Sequence, residues 1–249
     1  MERRVNILFK DIGISNISGL TLMLAGGIKN KIMKYYKGIN DAEYGFQAQV
    51  DFGDEKLLKK DIYKEVEFSF IDSINYVKTK VKTDVLDIGS LSFHGLLVSE
   101  KFYSICERFD SHQVQFVDII GDENLKGYKF MFFNGDLTTK IDYRKTNFIL
   151  CENMLDEFEV LNENLEPSRK NMINIDKEIC SVDIFKQLIP KNGFSFIEGF
   201  DINKYNIFRI GHFDEHFYFS EKVVKALKAE NITGITFVES VNFSPFTHC

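Results

Sequence analysis

Apolar positions in this chain recur at two spacings, and their alternation marks out short mixed elements. Leu96-Leu97-Val98 is a brief apolar run that predicts a strand. Ser99 then stands where a helix N-cap belongs. Its hydroxyl can accept a first-turn N–H, and Glu100 complements the positive helix end. Phe102, Ile105, Cys106 and Phe109 follow at i, i+3, i+4 and i+7, one apolar face of a helix. Asp110-Ser111-His112 breaks that pattern, and Val114 to Ile119 predicts a second strand.

The same pattern returns near the C-terminus. Phe217-Tyr218-Phe219 leads into Ser220-Glu221-Lys222, matching Ser99-Glu100-Lys101, and Ser220 follows Ser99 by 121 positions. At that one offset, without a gap, Val223, Ala226 and Leu227 take the places of Phe102, Ile105 and Cys106. Ile235, Phe237, Val238 and Glu239 take those of Val114, Phe116, Val117 and Asp118. A strand–helix–strand unit used twice is expected, with Ser99 and Ser220 as the two N-caps.

Elsewhere the chain predicts further elements. A helical pattern after Gly26-Gly27 carries Ile28, Ile32 and Tyr35, and Asp54 is placed to cap a short helix with Leu58 and Ile62. Glu65 to Ile71 alternates as a half-buried strand, and Gly127 to Asn134 reads as a strand buried on both faces. Phe148–Leu150, Asn171–Ile175 and Tyr205–Ile210 are shorter strand candidates. Ser181 to Ile189 is a candidate helix stopped before Pro190. Strands and helices mix without regular βαβ alternation, so the expected class is α+β with mixed sheets. An N-terminal α/β region over residues 1–80 and a second region over 81–249, holding the duplicated unit, are the expected divisions.

Composition narrows the class of protein. The 249 residues include 25 Phe, no Trp and only 3 Pro, which indicates thick apolar packing with few rigid breaks. A net charge of −6 lacks the basic footprint of a nucleic-acid binder and would steer a basic protein partner. Cys106, Cys151, Cys180 and Cys249 are widely spaced, as reduced thiols would be, with no C-x-x-C pair. Charged residues interrupt the N-terminal apolar stretch, and Ile17 to Ile28 is too short to span a bilayer, so a cytoplasmic location without membrane contact is expected.

A resemblance enters with the C-terminal segments. Tyr205-Asn206-Ile207-Phe208-Arg209-Ile210 leads through a short acidic turn to Phe217-Tyr218-Phe219-Ser220-Glu221-Lys222, then a helix and Gly234-Ile235-Thr236-Phe237. This order resembles the signature of bacterial immunity proteins of polymorphic toxin systems, in the related families numbered eleven and forty-three. Leu97-Val98-Ser99-Glu100-Lys101 resembles the corresponding earlier block. Gly127-Tyr128 through Phe132, followed by Ile141-Asp142-Tyr143, resembles the central tyrosine-rich strand with its later aspartate. The likeness covers residues 85–240 and leaves the first eighty unassigned. It implies an inhibitor that binds a cognate protein toxin and protects the producing cell, without catalysis or cofactor. Because the toxin varies between systems, no toxin-contacting residue carries over.

Two other readings stand beside it. His212-Phe213-Asp214-Glu215-His216 places two imidazoles and two carboxylates in five positions, and His212, Asp214 and His216 are candidate ligands of a metal-dependent hydrolase. A polar loop between two strands accounts for the same residues. A scaffold or adaptor of the same fold is the third reading. Neither Ser99 nor Ser220 lies in G-x-S-x-G, and helix capping explains both. Asp51-Phe52-Gly53 has no accompanying kinase motif, and Phe130 to Phe133 lacks the basic neighbours of a base-stacking platform.

Overall fold

A strand–helix–strand unit leaves one apolar helix face uncovered, and a second copy of the same unit can cover it. The computed structural model describes residues 33–40, 48–51, 73–79, 83–86, 95–120, 123–133, 135–154, 157–180, 182–183, 185–211 and 213–240. All of them belong to the unit running from Met33 to Cys249. In order, β1 (Tyr35–Asn40), β2 (Ala48–Asp51), β3 (Ser73–Thr79), β4 (Val85–Leu86) and β5 (Gly95–Val98) precede helix α1 (Glu100–Cys106). Then come β6 (Val114–Ile120), β7 (Lys129–Phe133), β8 (Phe148–Met154), β9 (Glu157–Asn162) and helix α2 (Arg169–Ile175). The last elements are β10 (Lys186–Pro190), β11 (Ile207–Gly211), β12 (Asp214–Ser220), helix α3 (Glu221–Ala229) and β13 (Ile235–Ser240). The class is α+β.

Three sheets form, ordered β2-β3-β6-β7-β5-β4, β11-β12-β1-β13 and β10-β8-β9. In the first, β5 and β6 flank β7 and run antiparallel to it, so they are parallel to each other. In the second, β12 and β13 flank β1 in the same way. The agreement extends to register. Leu96 and Phe116 both face Met131, and their counterparts Phe217 and Phe237 both face Gly38. Leu97 and Val117 both face Phe130, and Tyr218 and Val238 both face Lys37. The central strand comes after the unit in one copy and from the distant N-terminal side in the other. Two sheets therefore take strands from both sides of residue 80.

The helices α1 and α3 pack on each other between the two sheets. Leu96, Val98, Met131 and Phe133 of one sheet and Ile207, Phe217, Phe219 and Ile235 of the other close the core around Phe102, Ile105, Val223 and Leu227. Phe133 stacks on Phe217 at 4.5 Å and 17°, and Phe102 meets Phe219 edge-on at 6.3 Å. The two amphipathic faces are thus each other's solvent shield, the logic of a two-fold dimer inside one chain. A second core lies on the other face of the β11-β12-β1-β13 sheet. There Tyr35, Phe208, Ile210 and Tyr218 meet Phe148, Leu150, Met172, Leu188 and Phe194.

Four expectations need correction. Asn171–Ile175 is helix α2, because Ser168 accepts a hydrogen bond from the Asn171 N–H at 3.2 Å and Met172 turns into the second core. Lys186 to Ile189, the end of the helix expected over Ser181 to Ile189, belong to strand β10, since a ladder to β8 sets Leu188 against Leu150 and outweighs local preference. Tyr35, expected at the end of a helix, opens β1 because its ring fills the second core. Helix α1 stops at Cys106, although Phe109 beyond it still packs on the first core. The elements expected around Ile28, Asp54–Ile62 and Glu65–Ile71, and the Ile17–Ile28 run, lie outside the described residues. No helix among the described residues is long and apolar enough to cross a membrane.

Candidate functional site

The serines that might have been nucleophiles hold the two units together. Ser99 has extended dihedrals at the α1 N-cap, and its Oγ accepts from the Phe102 N–H at 3.2 Å. The same hydroxyl donates to Asp84 Oδ1 at 2.8 Å. Ser220 occupies the matching position ahead of α3, yet makes no side-chain cap bond. Its buried hydroxyl donates instead to Asn206 Oδ1 at 2.8 Å. In both copies the serine N–H also donates to the carbonyl of that same partner, at 2.7 Å in each.

Asp84 and Asn206 extend the symmetry across the interface. Asp84 Oδ2 accepts from the N–H and the hydroxyl of Thr233, each at 3.0 Å, and Val85 N–H donates to the Thr233 carbonyl. In the other direction Asn206 N–H donates to Asp110 O at 2.7 Å, and His112 N–H donates to Ile207 O at 2.8 Å. Each helix-to-strand loop thus lands on the edge strand of the other copy. These loops need left-handed backbone at matching places, Gln113 at φ 51° and Gly234 at φ 85°. A Cβ on Gly234 would lie 2.1 Å from the Val85 carbonyl oxygen, so glycine is required there. His112 is 8% exposed, its Nδ1 has no hydrogen-bond partner, and the rings of Tyr205 and Phe200 close on it edge-first. Burial, with the nearby Lys140 charge, lowers its pKa against a smaller opposite pull from Asp136.

The histidine-rich segment is mostly strand rather than loop. Asp214 to Ser220 form β12, hairpin-paired with β11. His212 lies outside the described residues. Asp214 is buried, at 8% side-chain exposure, and three donors converge on it. Lys37 Nζ lies 2.5 Å from Oδ2, Tyr218 Oη donates to Oδ2 at 2.5 Å, and His216 Nδ1 lies 2.7 Å from Oδ1. The His216 backbone N–H donates to Oδ1 at 3.1 Å as well. Burial alone would raise this carboxyl. The His216 hydrogen bond and the Lys37 ammonium outweigh it, with help from Tyr218, and hold the pKa at about 2. The same arrangement pushes Tyr218 well above the ordinary phenol range, through burial first and the Asp214 charge second.

This geometry is a closed ion-pair network on a sheet face. A cation seeking Asp214 would have to displace the Lys37 ammonium, which already supplies the compensating charge. Among the described residues, no group of three or more His, Cys, Asp or Glu side chains is placed to share a metal ion. Sequence reading singled out Asp214 and His216 but missed Lys37, Tyr218, Asp84 and Asn206. Tyr218 carried a signal, since it lies on the same strand face as Asp214 and His216 at period two. Lys37, 177 positions from Asp214, carried none.

The described residues also form an open cleft of about 520 Å³ beside the start of α1. Glu100, Asp118, Glu123, Lys126 and Lys129 surround Tyr103 and Tyr128 there. Lys129 Nζ bonds Asp118 at 2.6 Å and sits 5.0 Å above the Tyr103 ring, so part of the charge is paired internally. Among the described residues, the free thiols of Cys106 and Cys151 are buried and that of Cys180 is partly buried, while Cys249 lies outside the described residues. Burial pushes Cys106 and Cys151 up, and burial with the Asp176 charge raises Cys180 to about 11.

Compared with known proteins, the chain matches no family model and no curated sequence.

Proposed function

We propose that this chain is an immunity protein that acts in the cytoplasm, binding and neutralising a cognate bacterial toxin without catalysis. The observation that carries the reading is the engagement of Ser99, Ser220 and Asp214, the described side chains with a candidate chemical role. Ser99 and Ser220 are bonded into the joints between the duplicated units, and Asp214 is saturated by Lys37, Tyr218 and His216. The resemblance of residues 85–240 supplies the partner class. The net charge of −6 supports a basic toxin, because complementary charge raises the association rate.

The test is a titration. The reading expects a toxic domain encoded beside this gene; that domain is purified, and its activity is followed as the full chain is added, with calorimetry on the same samples. One equivalent should abolish activity and form a stable complex, and added salt should slow association more than it speeds release. Inactivation by far less than one equivalent, or protection with no complex, would overturn the reading.

A further inference from the structure

The two copies of the strand–helix–strand unit differ in what lies beside their last strand. In the first copy, β3 adds to the outer side of β6 in parallel, pairing Ser73 with Asp118 and Ile74 with Ile119. In the second, β13 corresponds to β6 residue for residue, and Asp118 corresponds to Glu239. Among the described residues no strand pairs with the outer side of β13. Every second residue of an edge strand turns its N–H and C=O away from its neighbour, so this side is a template for another strand.

The other sheet edges are guarded. Strand β4 has two residues, and Val85 already bonds the Thr233 carbonyl. The register breaks along β2, β9 and β11, and the Asp110–His112 loop covers the start of β11. Strand β10 carries Lys186 and ends in Pro190, which has no N–H to offer. Strand β13 has none of these devices. Its six residues, Ile-Thr-Phe-Val-Glu-Ser, pair with β1 without a break and include neither Lys nor Pro. Val238 is 47% exposed and Ile39, on the neighbouring strand and the same face, is 39% exposed, leaving apolar surface beside this edge.

We propose that the outer edge of β13 is a docking site for an extended segment of a protein partner, added parallel to β13 as β3 is added to β6. The occupant has the chemistry of β3, Ser-Ile-Asn-Tyr-Val-Lys-Thr: β-branched and aromatic residues, one cation, no proline. Main-chain hydrogen bonds supply most of the affinity, and alternate apolar side chains cover Val238 and Ile39. A second copy of this chain is a less suitable occupant, because a two-fold pair of β13 strands would be antiparallel. The site deepens the proposed binding role and rests on it only for the partner being a toxin.

The experiment needs no toxin. Hydrogen exchange is followed on the full chain, free and with a capped peptide of the Ser73–Thr79 sequence. Outward amides of Ile235 to Glu239 should exchange faster than those of β6 in the free chain and become protected in a saturable manner with peptide. Val238→Lys, which places a charge at an exposed edge position, should weaken peptide binding by about tenfold without lowering Tm. Edge amides already as slow as those of β6 would overturn the proposal. So would no protection at millimolar peptide, or protection that rises with protein concentration alone. Failure of the peptide leaves the toxin titration standing, and failure of that titration leaves the edge open to other partners.

Discussion

Removing the Lys37 charge should cost more than removing the charge it neutralises. Lys37→Met keeps the aliphatic stem but takes away the ammonium 2.5 Å from Asp214 Oδ2. The carboxylate is 8% exposed, so water cannot substitute for the cation. His216 and Tyr218 still bond it, which places the loss at about 2–3 kcal/mol, at or below the low end for an uncompensated buried charge. In a domain of this size that lowers Tm by about 5–10 °C. Asp214→Asn should cost less, about 1–2 kcal/mol, because Lys37 retains 22% side-chain exposure and can turn its ammonium to solvent. The double variant Lys37→Met/Asp214→Asn buries no charge, so it should be more stable than the sum of the singles by about 1 kcal/mol or more. The sign of the pH effect follows from the depressed carboxyl. Held at about 2 against an ordinary 3.8, Asp214 contributes fully above about pH 4 and loses its contribution as pH falls through 3.8 towards 2. The gap between parent and Lys37→Met should therefore close below about pH 4. Calorimetric melts of the four proteins from neutral pH to about pH 3 provide the assay. A Lys37→Met Tm within about 1 °C of the parent, or strictly additive variants, would refute the coupling.

The two serines should behave differently when truncated. Ser99→Ala loses an N-cap acceptor and a bond to Asp84, at about 1 kcal/mol, whereas Ser220→Ala strands the buried Asn206 oxygen and should cost about 1–3 kcal/mol. Urea midpoints rank them, and equal losses would count against distinct roles. His112, buried with a lowered pKa, binds its proton more readily in the unfolded chain, so stability should fall as pH drops below about 6.5. His112→Phe should flatten that slope between neutral pH and about pH 5, and an unchanged slope would assign it to other groups.

The α+β class and the repeat were readable because each depends on neighbours in sequence. Phe102, Ile105 and Cys106 follow the helical period, Ser99 the cap, and Val114 to Ile119 the strand, whatever surrounds them. The constant offset between the copies needed only comparison of the chain with itself. Elements whose identity depends on partners far along the chain were misread. Lys186 to Ile189, read as helix, are strand because β8 offers them a ladder, and Tyr35, read into a helical pattern, opens a strand because β12 and β13 leave a slot between them. Asn171–Ile175 is a different case, since Ser168 was a local cap signal in plain view. The candidate site divides in the same way. Period-two spacing sets Asp214 and His216 on one face once β12 forms where a loop was the alternative, but only the pairing of β1 with β12 brought Lys37 to Tyr218 and so to Asp214. Local spacing sets which face a side chain occupies, while tertiary pairing sets which charge meets it, and that meeting made a candidate ligand into half of an ion pair.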